Sequence, residues 1–96
     1  MTKKLLGYCP VDSGQLIVVD PCYLRGWRDG EAGANDGNSY AKACEITTND
    51  EMGGEMLVFG VAGSGVVFAS GWGDGSYPVY ATYGKDGRIS KIEIKF

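Results

Sequence analysis

Sixteen of the 96 residues are glycine, and their spacing leaves only short apolar runs between them. QLIVVD (15–20), EMLVFGV (55–61) and GVVFAS (65–70) are bounded by glycine, proline or aspartate. A chain punctuated this often has little room for long helices and favours short strands joined by turns. The last run, RISKIEIKF (88–96), carries the clearest pattern. Ser90, Ile92, Ile94 and Phe96 alternate with Lys91, Glu93 and Lys95, a period of two that identifies a strand with one apolar face. GKDG precedes it, with Asp86-Gly87 where a hairpin needs left-handed backbone angles. YPVYATY (77–83) is therefore predicted to pair with this strand.

Three other segments are read in the same way. LLGYCPVDSGQLIVV (5–19) is predicted as a first hairpin turning at DSG, ended by Pro21, which pushes Asp20 into an extended conformation. EMLVFGV and GVVFAS, separated by AGS, read as a hairpin that is apolar on both faces and hence central. YAKACEIT (40–47) fits two patterns. Its alanines suit a helix, whereas Tyr40, Lys42, Cys44 and Ile46 alternate; the strand is preferred, with one or two helical turns as the alternative. Residues 26–39 form the longest loop candidate. The expectation is a mainly β fold, a single domain over 1–96. It is a compact antiparallel sandwich or small barrel of about six short strands, with at most one short helix near 38–46. At this length the core is thin.

Several chemistries are excluded. The chain has no histidine, so Ser-His-Asp and Cys-His devices, imidazole acid/base steps and the usual zinc sites are out of reach. Cys9, Cys22 and Cys44 are irregularly spaced without a C-x-x-C pair; they read as free, mostly buried thiols of a reducing cytoplasm, with one disulfide as the alternative. MTKKLLGYCP carries no secretory apolar region, and no run approaches the ~20 apolar residues of a membrane helix. A cytoplasmic location without membrane contact is expected. The net charge is −3, and Asp29, Glu31, Asp36, Glu45, Asp50, Glu51 and Glu55 face Lys42 as the only base in 29–55. That balance disfavours nucleic acid as a partner, and the basic last segment reads as a solvated face.

The glycine clusters GVAGSG (60–65) and GWGDG (71–75) resemble phosphate loops, but neither ends in G-K-[ST] or opens a helix. The first reads as a hairpin turn. DGEAGANDGNS (29–39) is acidic, yet Gly33 takes a calcium-ligand position and no glutamate closes the loop, so it reads as a flexible acidic loop, with a weak calcium site as the minor alternative. Asp12, Asp20 and Asp74 would make an acid/base pair only if the fold gathered them; capping turns is the common use of aspartate. No cofactor and no metal are expected.

GWGDGSYPVY (71–80) remains. In one reading its glycines permit a sharply bent connection, Asp74 bonds turn amides, and Trp72 and Tyr77 cover the end of a small core. In the other, Trp72, Tyr77 and Tyr80 flank a shallow cleft into which Asp74 presents a carboxylate, suited to a ligand ring or a partner's pocket. The two are compatible.

VDSGQLIVVDPCYL (11–24) and FASGWGDGSYPVYATYGKDGRISKIEIKF (68–96) resemble small phage and bacterial proteins related to an uncharacterised family, the domain of unknown function 4241. Its members end in a W/Y-G-D-G-x-Y-P-V/T segment and a terminal strand. GVAGSG resembles the GVDAGTG-like segment of longer members only loosely, lacking its aspartate. The resemblance implies a β-rich fold and a phage-like setting, and supplies no catalytic residues. The expected function is that of a small non-enzymatic binding or accessory protein acting on a host protein through Trp72, Asp74, Tyr77 and Tyr80. The alternative is a protein that sequesters a nucleotide or sugar, with Trp72 or Tyr80 stacked on a ring. A hydrolase using carboxylates alone, and a structural or oligomeric role, are less favoured.

Overall fold

A computed structural model describes residues 1–26, 40–58 and 61–96. In chain order the elements are β1 (Thr2–Val11), β2 (Gln15–Val19), a 3-10 helix (Pro21–Gly26), α1 (Tyr40–Thr47), β3 (Gly53–Val58), β4 (Val61–Ala69), β5 (Gly75–Tyr83) and β6 (Ile89–Ile94). The fold is mainly β, as expected, and its strands form two three-stranded antiparallel sheets ordered β1-β5-β6 and β2-β4-β3. Neither sheet closes on itself, so the barrel alternative does not hold. The chain divides into two compact units, residues 1–14 with 70–96, and Gln15–Ala69.

The first unit is the sheet β1-β5-β6. Its hairpin β5–β6 follows the expected pattern: Ile92 and Ile94 lie opposite Ala81 and Val79, while Lys91 and Glu93 lie opposite Thr82 and Tyr80. Gly87 has a φ of 81° in the connection, and Asp86 accepts the Arg88 N–H at 3.1 Å. On β1 a register shift sits between Leu5 and Gly7. Val11, Tyr77 and Ala81 are buried, and all three lie on one sheet face, that of Ile92 and Ile94.

The second unit packs α1 on the sheet β2-β4-β3. Ala43, Met56 and Val67 form its core, with Ile17, Val19, Tyr23 and Ile46 against them. A side-chain carbon at Gly54 would meet Ile46 Cγ2 at 3.3 Å, so its absence lets the helix lie close on β3. After the helix, Asn49 Oδ1 accepts the N–H groups of Glu51 (3.0 Å) and Gly53 (3.2 Å), and Met52 takes a φ of 61°.

Three expectations are corrected. The strands on either side of DSG do not pair with each other. β1 pairs with β5 and β2 with β4, because the apolar partners each strand needs lie far along the chain. YAKACEIT is helical rather than extended: Ala43 and Ile46, one helical turn apart, both meet the core. The hairpin β3–β4 exists, but its connection precedes Val61, and GVAGSG from Val61 onward is strand rather than turn. Gly65 sits opposite both Val19 and Met56. β4 is the central strand of that sheet and β3 an edge. The acidic loop at 29–39 lies outside the described residues.

Candidate functional site

The corner between β4 and β5 is held by hydroxyls on one carbonyl. Ser70 Oγ and Tyr77 OH each donate to Gly73 O at 2.7 Å. Ser70 is fully buried, and its N–H donates to Gly14 O at 2.9 Å. Gly71 and Gly73 have φ values of 66° and 88°, which side-chain-bearing residues adopt only with strain. A side-chain carbon at Gly71 would also stand 3.0 Å from Phe96 Cβ. The Phe96 ring meets the Tyr77 ring edge-on, centroids 5.1 Å apart at 90°, an arrangement favoured by the ring quadrupoles.

Trp72 lies at the tip of this corner with 85% of its surface exposed, and Asp74 beside it is also exposed. Tyr77, by contrast, is buried, and its hydroxyl fixes the turn. Tyr80 is three residues further along the strand and therefore on the opposite face. Trp72, Asp74, Tyr77 and Tyr80 thus do not line one cleft. The clamp expected of Asp74 is made instead by Ser70 and Tyr77.

Around Tyr80 is a charged cluster that the sequence reading missed. Lys3 Nζ stands 4.8 Å from the Tyr80 ring centroid and 3.4 Å from Glu93 Oε1, and Lys91 Nζ reaches the same oxygen at 3.4 Å. Lys3 first, then Lys91, holds the Glu93 carboxyl below its ordinary range. At the end of the sheet, Thr2, Lys4, Tyr83, Gly84, Lys85 and Gly87 line an open hollow of about 480 Å³. Lys4 Nζ lies 5.9 Å from the Tyr83 ring centroid. The signal for both was present in the alternating charges of β6 and in the Lys3-Lys4 pair facing them across β5.

The family model for "Protein of unknown function (DUF4241)" matches residues 3–94. The chain belongs to this family. The match takes in the two end segments and also the middle of the chain that their motifs leave uncovered. No curated protein and no solved structure matches the chain significantly.

In this DUF4241 chain Asp20 and Cys44 are engaged structurally. Asp20 starts the 3-10 helix: its Oδ1 accepts the Cys22 N–H at 3.0 Å and its carbonyl the Tyr23 N–H at 2.9 Å. The bond from the Cys22 main chain, then its side chain, holds Asp20 below the usual carboxylate range. Local desolvation and then the Asp20 carboxylate push the Cys22 thiol up, the reverse of what a nucleophilic cysteine requires. All three cysteines are free; Cys22 is exposed, and Cys9 and Cys44 are half-buried rather than buried. Cys44 Sγ accepts from Gln15 Nε2 at 3.3 Å, and Gln15 Oε1 accepts from Thr47 Oγ1 at 2.9 Å, a network that ties α1 to β2. Among the described residues no three of histidine, cysteine, aspartate and glutamate gather as metal ligands. No described helix is long and apolar enough to cross a membrane.

Proposed function

We infer that the chain is a small non-enzymatic binding module that engages a protein partner through the corner at Trp72. The observation carrying this reading is an indole 85% exposed on a turn whose carbonyl is fixed by two hydroxyls at 2.7 Å. Tryptophan dominates binding energy at interfaces when it fills a partner's pocket. A turn already rigid loses little freedom on docking, which preserves affinity. Asp74, on the same corner, supplies a charge that would orient the partner. Tyr77 acts in this reading as the support of the corner, and Tyr80 stands apart from it. The resemblance of the end segments to small phage and bacterial proteins supports a phage-type accessory role, with the partner a protein of the host cytoplasm. The raised Cys22 thiol and the lack of histidine support a role without catalysis.

Trp72→Ala tests it. Because the side chain buries little, stability should change by no more than about 0.5 kcal/mol. Capture of a partner from host lysate should weaken by roughly 30-fold, as for a hot-spot residue of about 2 kcal/mol. Retention of the same proteins at the same strength by the folded variant would remove the reading.

The hollow at Lys4, Lys85 and Tyr83 favours a second reading, a small anionic ligand carrying a ring, such as a nucleotide. Two ammonium groups would meet the anion and the phenol face the ring. A nucleotide at 100 times its Kd should add about 2.7 kcal/mol of stability. Melting curves unmoved by every nucleotide tried would exclude it.

A further inference from the structure

Among the described residues the sheet β1-β5-β6 has two edges, and they differ in kind. β1 carries the register shift between Leu5 and Gly7, Pro10, and the adjacent like charges Lys3 and Lys4. Each of these discourages a further strand from pairing. β6 has no proline, and its pairing with β5 is regular from Lys91 to Ile94, the shift lying beyond, toward Ile89. Its charges alternate in sign along one face, Lys91, Glu93, Lys95, while Ile92 on the other face is 51% exposed.

The main-chain direction of β6 can be read from one bond. Lys95 N–H donates to Pro78 O at 3.2 Å, so the polar main-chain groups of Lys95 point toward β5. In an antiparallel pair this orientation repeats every second residue. Lys91 and Glu93 therefore also turn their N–H and C=O groups inward, and Ile92 and Ile94 turn theirs outward. A strand added to this edge must place its own outward-facing residues opposite these two.

A second copy of β6, antiparallel, can do so only in registers that oppose even-numbered residues. Opposing Lys91 to itself, or Glu93 to itself, stacks like charges across the junction, which is destabilising. Opposing Ile94 to itself leaves most of the strand unpaired. Opposing Ile92 to itself keeps the most strand paired and avoids like charges. Its N–H and C=O then exchange two bonds with the partner's Ile92, and Ile94 falls opposite the partner's Ser90, where the register shift begins. Lys91 and Glu93 lie opposite the partner's Glu93 and the partner's Lys91, at the closer, non-hydrogen-bonded spacing where side-chain pairs interact most. Hydrogen-bond parity places the two-fold axis on a residue rather than between two, charge alternation places it on an even-numbered one, and the length of the strand favours Ile92.

We propose that β6 is a homodimerisation edge, two copies joining antiparallel about Ile92 so that the sheets β1-β5-β6 merge into one continuous sheet. The contact is isologous and closes after two copies. It is independent of the Trp72 corner.

Sedimentation or light scattering over a concentration series tests it. The expected species is twice the 10.2 kDa chain, with a dissociation constant of micromolar order, as befits a small interface. Ile92→Pro removes an outward N–H that the chain's own sheet does not use and should leave a folded monomer. Glu93→Lys puts lysine opposite Lys91 in both symmetry-related pairs and should weaken association by at least about tenfold. Adding Lys91→Glu to it should restore dimer formation. Wild type monomeric at every concentration would overturn the proposal, and so would a dimer untouched by both Ile92→Pro and Glu93→Lys. The surface charge variant keeps the test decisive if the proline variant fails to fold.

Discussion

Tyr77→Ala is expected to lower stability by about 3–5 kcal/mol, the range for truncating a buried aromatic side chain. Small domains have only about 5–15 kcal/mol in total, so the variant should be largely unfolded at modest denaturant. Three effects combine at this residue. The ring is 8% exposed; it packs at a right angle to the Phe96 ring, centroids 5.1 Å apart; its hydroxyl holds the Gly73 carbonyl at 2.7 Å. Tyr77→Phe separates them. The ring contacts survive, and Gly73 O keeps the bond from Ser70 Oγ, so the loss should be about 1 kcal/mol, that of one hydrogen bond. Denaturant midpoints for the two variants check this, and hydrogen exchange should show the largest loss of protection in β1, β5 and β6. A cost below about 1 kcal/mol for Tyr77→Ala would mean the corner stands without it.

Met56→Ala should cost about 2–5 kcal/mol, the range for a core methionine. Met56 is 2% exposed and packs with Ala43 and Val67. Ala43 and Val67 adjoin the resulting cavity, with Ile17, Val19, Tyr23 and Ile46 packed against the cluster, and the cost within this range is set by how far these side chains can close it. Met56→Leu, nearly equal in volume, should cost less than about 1.5 kcal/mol. Here the amides expected to lose most protection are those of α1, β2, β3 and β4. Equal effects of alanine and leucine would contradict the packing argument.

What the sequence made legible follows from how local each determinant is. The β5–β6 hairpin was readable because both its signals, the alternation of 88–96 and Asp86-Gly87, lie within a few residues. The turn at DSG is equally real, with Gly14 at a φ of 70°, yet it joins strands of different sheets. No local propensity says that Ile17 will meet Val67 and Cys9 will meet Tyr77. YAKACEIT is too short for periodicity to separate helix from strand; the decision came from Ala43 and Ile46 meeting Met56 and Val67. GVAGSG reads as a turn because its glycines suit one locally, whereas the pairing of Gly65 with Val19 and Met56 depends on residues far along the chain. At the corner, the glycines and Trp72 were identifiable. Grouping Tyr77 with Tyr80 overlooked an elementary feature of strands, since residues three apart face opposite ways. Lys3 could not be joined to Glu93 without knowing that β5 lies between β1 and β6.

The bond from Ser70 N–H to Gly14 O brings together the two points at which the chain leaves and rejoins its first sheet. Thr2 must find Tyr83 across everything between, and the entropy of that encounter grows with the logarithm of the intervening length. Prior condensation of Gln15–Ala69, whose β3 and β4 are near neighbours in sequence, shortens the effective separation. Loop closure therefore favours an order in which the interior stretch forms first and the N-terminal strand pairs last. By the same logarithm, a relative could lengthen that interior stretch considerably while asking almost nothing more of the strands that enclose it.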